Sequence, residues 1–150
     1  QIGGSLNNIY SIAAGIAEGL NLGENAKSAL ISRSFAEMTR YAKKFKADKN
    51  TLFGLSGLGD LILTCSSKNS RNTQFGIKLA SSKYDNFLDL LKSQEVTEGY
   101  YTVKAVYNIS QKKNIDMPIM ESVYNILYKQ HDLKEELSNL LSRPITEEKI

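Results

Sequence analysis

One periodicity runs through nearly the whole chain: apolar residues recur at spacings of three and four, and no stretch sustains the alternation of a strand. Leu6, Ile9, Ala13, Ile16, Ala17 and Leu20 mark one face of a first helix. Ile31, Phe35, Met38, Ala42 and Phe45 do the same for a second, longer one, with Arg33, Glu37, Arg40 and Lys44 along its opposite side. The last third carries three more patterns: residues 103–109, then Ile119, Val123, Ile126 and Leu127, then Leu133, Leu137, Leu140 and Leu141. Pro118 suits the first turn of its helix. Asp132, with Glu135 three residues on, has the spacing of a capping box that opens the last one. The pattern predicts an all-α fold, a single domain of about eight helices, some of them short.

Interruptions to the period carry their own information. Gly15 and Gly19 lie inside the first helix, where they cost propensity, so they predict close approach of another backbone. The middle of the chain is glycine-dense from Gly54 to Asp60, then abruptly apolar at Leu61, Ile62 and Leu63, then polar from Ser66 to Asn72. Two short apolar segments follow, around 75–79 and 87–91. The single histidine, His131, sits beside the Asp132 cap and reads as a surface residue. Residues 143–150, with Pro144, read as a frayed tail. The chain opens on Gln1 rather than Met, which reads as the start of a fragment or a processed product.

Composition narrows the classes of function. At 150 residues the chain is long enough to bury a core, and 41% hydrophobic with 23% charged residues is the balance of an ordinary globular protein. No apolar run approaches the roughly 20 residues of a membrane span. One cysteine, Cys65, supports no internal disulfide and fits a reducing cytoplasm. The net charge of +3 is scattered. The runs at Lys43, Lys44 and Lys46 and at Lys112 and Lys113 end helical patterns and lack the interleaved aromatics of a nucleic-acid surface, so no nucleic-acid partner is expected.

Three polar islands are not explained by core packing. The first, Gly-Gly-Ser-Leu-Asn-Asn at 3–8, reads as a glycine pair entering a helix start. It either holds an anion or an oxygen on free N–H groups or is capped by Ser5 or Asn7. The second holds Asp60, with Thr64 one turn on. Asp60 either caps the helix that begins at Leu61 or stands near a buried surface, where a carboxylate needs partners. The third is Ser70-Arg71-Asn72. Ser70 is a candidate N-cap, and Arg71 in the first turn opposes the helix dipole, an arrangement that makes sense where a phosphate shares the site.

Taken in order, Gly-Gly-Ser-Leu-Asn-Asn (3–8), Gly-Leu-Gly-Asp-Leu-Ile-Leu-Thr-Cys (57–65), Asn-Ser-Arg-Asn (69–72) and Val-Thr-Glu-Gly-Tyr-Tyr-Thr (96–102) resemble the bacterial NAD(P)-dependent glycerol-3-phosphate dehydrogenase family. So do residues 21–27 and Met117-Pro118-Ile119, and the resemblance covers nearly the whole chain. It implies that residues 1–150 form a C-terminal helical substrate-binding domain, like the C-terminal domain of 6-phosphogluconate dehydrogenase-type enzymes. A Rossmann domain preceding it would bind most of the NAD or NADP. It further implies a small phosphorylated substrate, sn-glycerol 3-phosphate, exchanged with dihydroxyacetone phosphate in phospholipid synthesis, and a homodimer. Asp60 would contact the glycerol moiety and orient the proton donor. Ser70, Arg71 and Asn72 would cradle the phosphate, with Asn8 and Thr64 supporting the pocket, and Arg71, Val96 and Glu98 would meet the cofactor.

One departure stands out. The family pattern places a lysine, the proton-transfer group, where this chain has Asn7, while Asn8 matches the asparagine that follows. An amide can polarise an oxygen by hydrogen bonding but cannot titrate. The departure leaves either an inactivated, diverged protein or an engineered or erroneous codon, and the fragment alone is expected to be inactive. The alternatives are the helical domain of another two-domain hydroxy-acid dehydrogenase, or a non-catalytic helical interaction module.

Overall fold

The computed structural model of the chain describes residues 2–47, 55–81, 90 and 97–143. Among them are seven α-helices and no strand: α1 (Ile2–Gly19), α2 (Glu24–Lys44), α3 (Asp60–Ser66), α4 (Arg71–Ser81), α5 (Glu98–Lys113), α6 (Pro118–Lys129) and α7 (Leu133–Leu141). A π-helical turn, Leu55–Gly59, leads directly into α3. The all-α expectation holds. Gly54, most of the apolar segment at 87–91, Val96 and the tail at 144–150 lie outside the described residues.

Helix α1 is the axis of the domain, with α2, α3, α4, α5 and α6 packed around it. From Leu6 to Ala17 every residue but Asn8 is buried, including Tyr10, Ile12 and Ala14 beyond the predicted face. A helix apolar all round belongs inside. Its glycines explain how α4 comes so close. A Cβ on Gly15 would stand 2.1 Å from the Thr73 carbonyl oxygen, and one on Gly76 would stand 2.3 Å from that of Ile12. The two backbones touch, as Gly15 and Gly19 in the sequence predict.

Helix α2 departs from its expected amphipathic form. Met38 and Ala42 are buried, but Phe45 is exposed at the helix end, its ring 4.9 Å from that of Tyr41 and under the Lys113 ammonium. Of the polar row on the other side, only Lys44 is exposed. Arg33 is 8% exposed and donates to the carbonyls of Leu140 (3.3 Å) and Arg143 (2.7 Å) at the end of α7. Glu37 is fully buried and accepts from the backbone N–H groups of Ile119 (2.7 Å) and Met120 (3.0 Å) in the first turn of α6. Arg40 donates to the Asp116 carbonyl at 2.8 Å. Helix ends leave orphan donors and acceptors, and α2 satisfies those of two neighbours from the side. Burial drives the Glu37 carboxyl up to about 8, against the lowering pull of its two N–H donors, of Tyr10 and of Arg40.

The predicted punctuation appears at the other helix ends. Pro118 opens α6, and the Asp132 carboxylate accepts from the Glu135 N–H at 3.0 Å. His131 is exposed and pairs with Glu136 at 2.9 Å. Lys43 and Lys44 sit in the last turn of α2, and Lys112 and Lys113 in that of α5, where cations complement the helix dipole.

Candidate functional site

The first island is helical from Ile2 onward, so Gly3 and Gly4 lie within the first turn of α1 and neither Ser5 nor Asn7 caps it. That overturns the capping reading. The Asn7 side chain is buried, and its Oδ1 has no hydrogen-bond partner among the described residues. Asn8, the next residue, does have one. Its Oδ1 accepts from Asn72 Nδ2 at 3.2 Å, and Asn72 Oδ1 in turn accepts from the Gly99 N–H at 3.2 Å.

That chain of bonds ties three helices together. Asn72, the second residue of α4, satisfies an orphan N–H in the first turn of α5, a task that the N-cap Thr97 does not perform with its own side chain. Gly99 permits this contact. A Cβ there would stand 2.6 Å from Ile12 Cδ1 and 2.7 Å from Asn72 Oδ1. Ser70 is the predicted N-cap of α4, its Oγ accepting from the Thr73 N–H at 3.3 Å.

Above this lock, Arg71, Asn72, Thr97, Glu98 and Tyr101 line a cleft of about 360 Å³. The first turns of α4 and α5 both contribute to its wall. Arg71 and Glu98 are exposed, and among the described residues no carboxylate pairs with the Arg71 guanidinium. A cation held at a helix N-terminus without a counter-charge is an arrangement that an anion would relieve.

Asn7, Asn8, Asp60, Thr64 and Ser70 are not among the lining residues of this cleft. Asp60 and Thr64 lie one turn apart on α3, which packs against α1 through the buried Leu61 and Cys65. Asp60 begins α3 but is exposed, with no described partner, so it is not a buried carboxylate in need of one. Ile62 and Leu63 beside it are 44% and 69% exposed. Burial pushes the Cys65 thiol up to about 12, which leaves it chemically inert. Among the described residues no cluster of three or more His, Cys, Asp or Glu could hold a metal ion, and no helix is long and apolar enough to cross a membrane.

Sequence reading did not single out Thr97 and Tyr101, which share the cleft, or a row of tyrosine rings behind it. Tyr107 stacks on Tyr124 with centroids 3.7 Å apart, Tyr124 meets Tyr128 at 5.1 Å, and Tyr128 stacks on Tyr100 at 4.7 Å. The signal was available in the spacing. Tyr100 and Tyr107 are seven apart and Tyr124 and Tyr128 four apart, so each pair lies on one helix face.

A family model described as the NAD-dependent glycerol-3-phosphate dehydrogenase C-terminus matches residues 1–138. The chain belongs to this family. Relatives named glycerol-3-phosphate dehydrogenase (NAD(P)+) agree. That of Brachyspira hyodysenteriae is 46% identical over 145 residues, and that of Colwellia psychrerythraea 44% over 143, each match covering 95% of this chain. The crystal structure of glycerol-3-phosphate dehydrogenase from Coxiella burnetii superposes with a TM-score of 0.85 at 39% identity, over 95% of this chain and 44% of that one. The chain spans 43% and 42% of the two relatives' lengths, respectively. Within this glycerol-3-phosphate dehydrogenase C-terminal fold, the motifs of the resemblance fall on helix starts: Gly-Leu-Gly-Asp where the π-turn meets α3, Ser-Arg-Asn where α4 begins, and Thr-Glu-Gly where α5 begins.

Proposed function

We propose that this domain holds the phosphorylated substrate of an NAD(P)-dependent glycerol-3-phosphate dehydrogenase, which interconverts sn-glycerol 3-phosphate and dihydroxyacetone phosphate for glycerophospholipid synthesis in the cytoplasm. The observation that carries this reading is Arg71, unpaired among the described residues at the first turn of α4, beside the hydrogen bonds that fix the Asn72 side chain. A guanidinium grips a phosphate through two parallel N–H bonds, and the free N–H groups of the helix start add to it. Asn72 lines the cleft beside Arg71, and Ser70, outside that lining, is assigned to the cradle on the family pattern. Asp60, with Thr64 on the same face of α3, is the group we assign to the glycerol hydroxyls.

The donor set also fits the edge of a dinucleotide, because Arg71 suits a phosphate and Glu98 accepts from ribose hydroxyls across the same cleft. Val96 belongs to this edge on the family pattern. NAD(P), when bound, supplies the hydride acceptor for the C2 hydrogen. This chain's residues bind and orient the substrate, and a nucleotide-binding domain preceding it in the complete protein would cover the cleft. The exposed Leu63 and Tyr101 suit such a covering surface. A homodimer is the assembly we assign to the complete protein, on the family pattern.

Oxidation at C2 also needs a base for the hydroxyl proton, and Asn7 stands where the family pattern has lysine. This favours a second reading, a form that binds substrate and turns it over very slowly. One experiment tests both. The domain is joined to a matching nucleotide-binding domain, and turnover is compared with that of Asn7→Lys. A positioned acid–base contributes about 10²–10⁴-fold, so the variant should gain on that order in kcat with little change in KM. Equal rates in the two forms would remove position 7 from proton transfer.

A further inference from the structure

The column of tyrosine rings ends at the cleft. Beyond Tyr100 it reaches Tyr101, which meets the Tyr100 ring edge-on at 5.2 Å and lines the cleft wall. Its middle member, besides its ring contacts, makes a hydrogen bond. The Tyr128 hydroxyl donates to the Tyr100 carbonyl oxygen at 2.6 Å, a bond from α6 to the first turn of α5. A carbonyl has two lone pairs, so it can accept this bond as well as one within the helix.

The first turn of a helix is the part least fixed by its own hydrogen bonds. In α5 that turn carries Glu98 into the cleft, with Tyr101 directly after it, and two side chains from elsewhere hold it. Asn72 takes the Gly99 N–H from the α4 side, and Tyr128 gives to the Tyr100 carbonyl from the α6 side. Burial raises the Tyr128 phenol above its ordinary value, so it stays a protonated donor.

We infer that Tyr128, which is not among the residues lining the cleft, is a positioning residue: through its hydroxyl bond to the Tyr100 carbonyl it fixes the wall formed by Glu98 and Tyr101. The inference rests on the reading of this cleft as a ligand site, and the test separates the two. In Tyr128→Phe the ring stays and the bond goes. Amide hydrogen exchange followed by NMR should speed up roughly 5–10-fold at Gly99, Tyr100 and Tyr101, and stay within about twofold in α4 and the rest of α6. In Tyr124→Leu the column is cut while the bond remains, and exchange in the first turn of α5 should not change. The chain contains no Trp, so the near-ultraviolet circular dichroism of the tyrosines reports whether the column survives each substitution.

Unchanged exchange in Tyr128→Phe, uniform acceleration throughout the domain, or equal fraying in Tyr124→Leu would each overturn the assignment. The ligand arm is separate. NADH is titrated into the complete two-domain protein, and Tyr128→Phe should weaken its binding severalfold, non-additively with Glu98→Gln. Additive losses from the two substitutions would overturn the coupling of Tyr128 to Glu98. Absence of NADH binding by the unsubstituted protein would defeat the reading of the cleft, and the exchange data would still decide the positioning role.

Discussion

Ionisable residues do opposite things in α2 and at the starts of α3, α4 and α5. Arg33, Glu37 and Arg40 are buried or half-buried, and each is bonded to backbone groups of a helix end or loop. Asp60, Arg71 and Glu98 stand at helix starts, exposed and without ion-pair partners among the described residues. The first set has already exchanged water for protein and holds α6 and α7 against α2. The second keeps its hydration and its unspent hydrogen-bonding capacity, as a ligand site must before the ligand arrives. Partnering, rather than charge, separates the structural set from the set we assign to ligands.

That contrast can be broken most severely at Glu37. Replacing it by Ala strips two buried N–H groups at the start of α6 of their acceptor, at a cost on the order of 3 kcal/mol of stability. Urea unfolding of Glu37→Ala beside Glu98→Ala measures it, since the exposed Glu98 should change stability by no more than about 0.5 kcal/mol. Similar losses in the two variants would erase the distinction.

The pH dependence sharpens the same point. The Glu37 pKa is raised on folding, from an ordinary value of 4.5 to about 8, so the native state binds a proton that the unfolded chain has released. The contribution of this group to stability is therefore full below about pH 4.5 and falls as pH rises toward 8, by at most about 1.4 kcal/mol per unit. Thermal unfolding across that window should show the decline, and Glu37→Gln should flatten it. A decline of the same steepness in the Gln variant would assign it to other groups.

At the cleft the effects should appear in binding. Arg71→Ala should leave the unfolding midpoint nearly unchanged while weakening phosphate-ligand affinity by about 1.5–3 kcal/mol, the worth of hydrogen bonds to charged groups. A fall in stability of that size with unaltered affinity would move Arg71 into the structural set.

Much of the architecture is legible in the sequence because helical periodicity is a local signal. The Ser70 and Asp132 caps and Pro118 act within a few residues of themselves, and each sits where its chemistry predicts. The glycines of α1 are legible because they interrupt a helical period locally, although the backbone they admit is that of α4. The polar row of α2 was not legible, because its partners are backbone groups 76 to 110 positions away and nothing local distinguishes a buried Glu37 from a solvated one. The same holds at the site. Ser70 and Arg71 could be read at a helix start, whereas the use of Asn72 as the cap of another helix depends on Gly99, 27 positions on. The assignment of Asn7 and Asp60 to chemistry came from family resemblance, and the geometry adds a buried amide oxygen without a described partner at the one and an exposed carboxylate at the other.

The central claim is that the start of α4 recognises a phosphate, and amide chemical shifts of the isotope-labelled chain titrated with glycerol 3-phosphate test it most directly. Saturable shifts are predicted at Arg71, Asn72 and Thr73 and, through the Asn72 bond, at Gly99. They should be absent with unphosphorylated glycerol and lost in Arg71→Ala. Equal shifts with glycerol, or shifts confined to helices away from the cleft, would contradict the assignment.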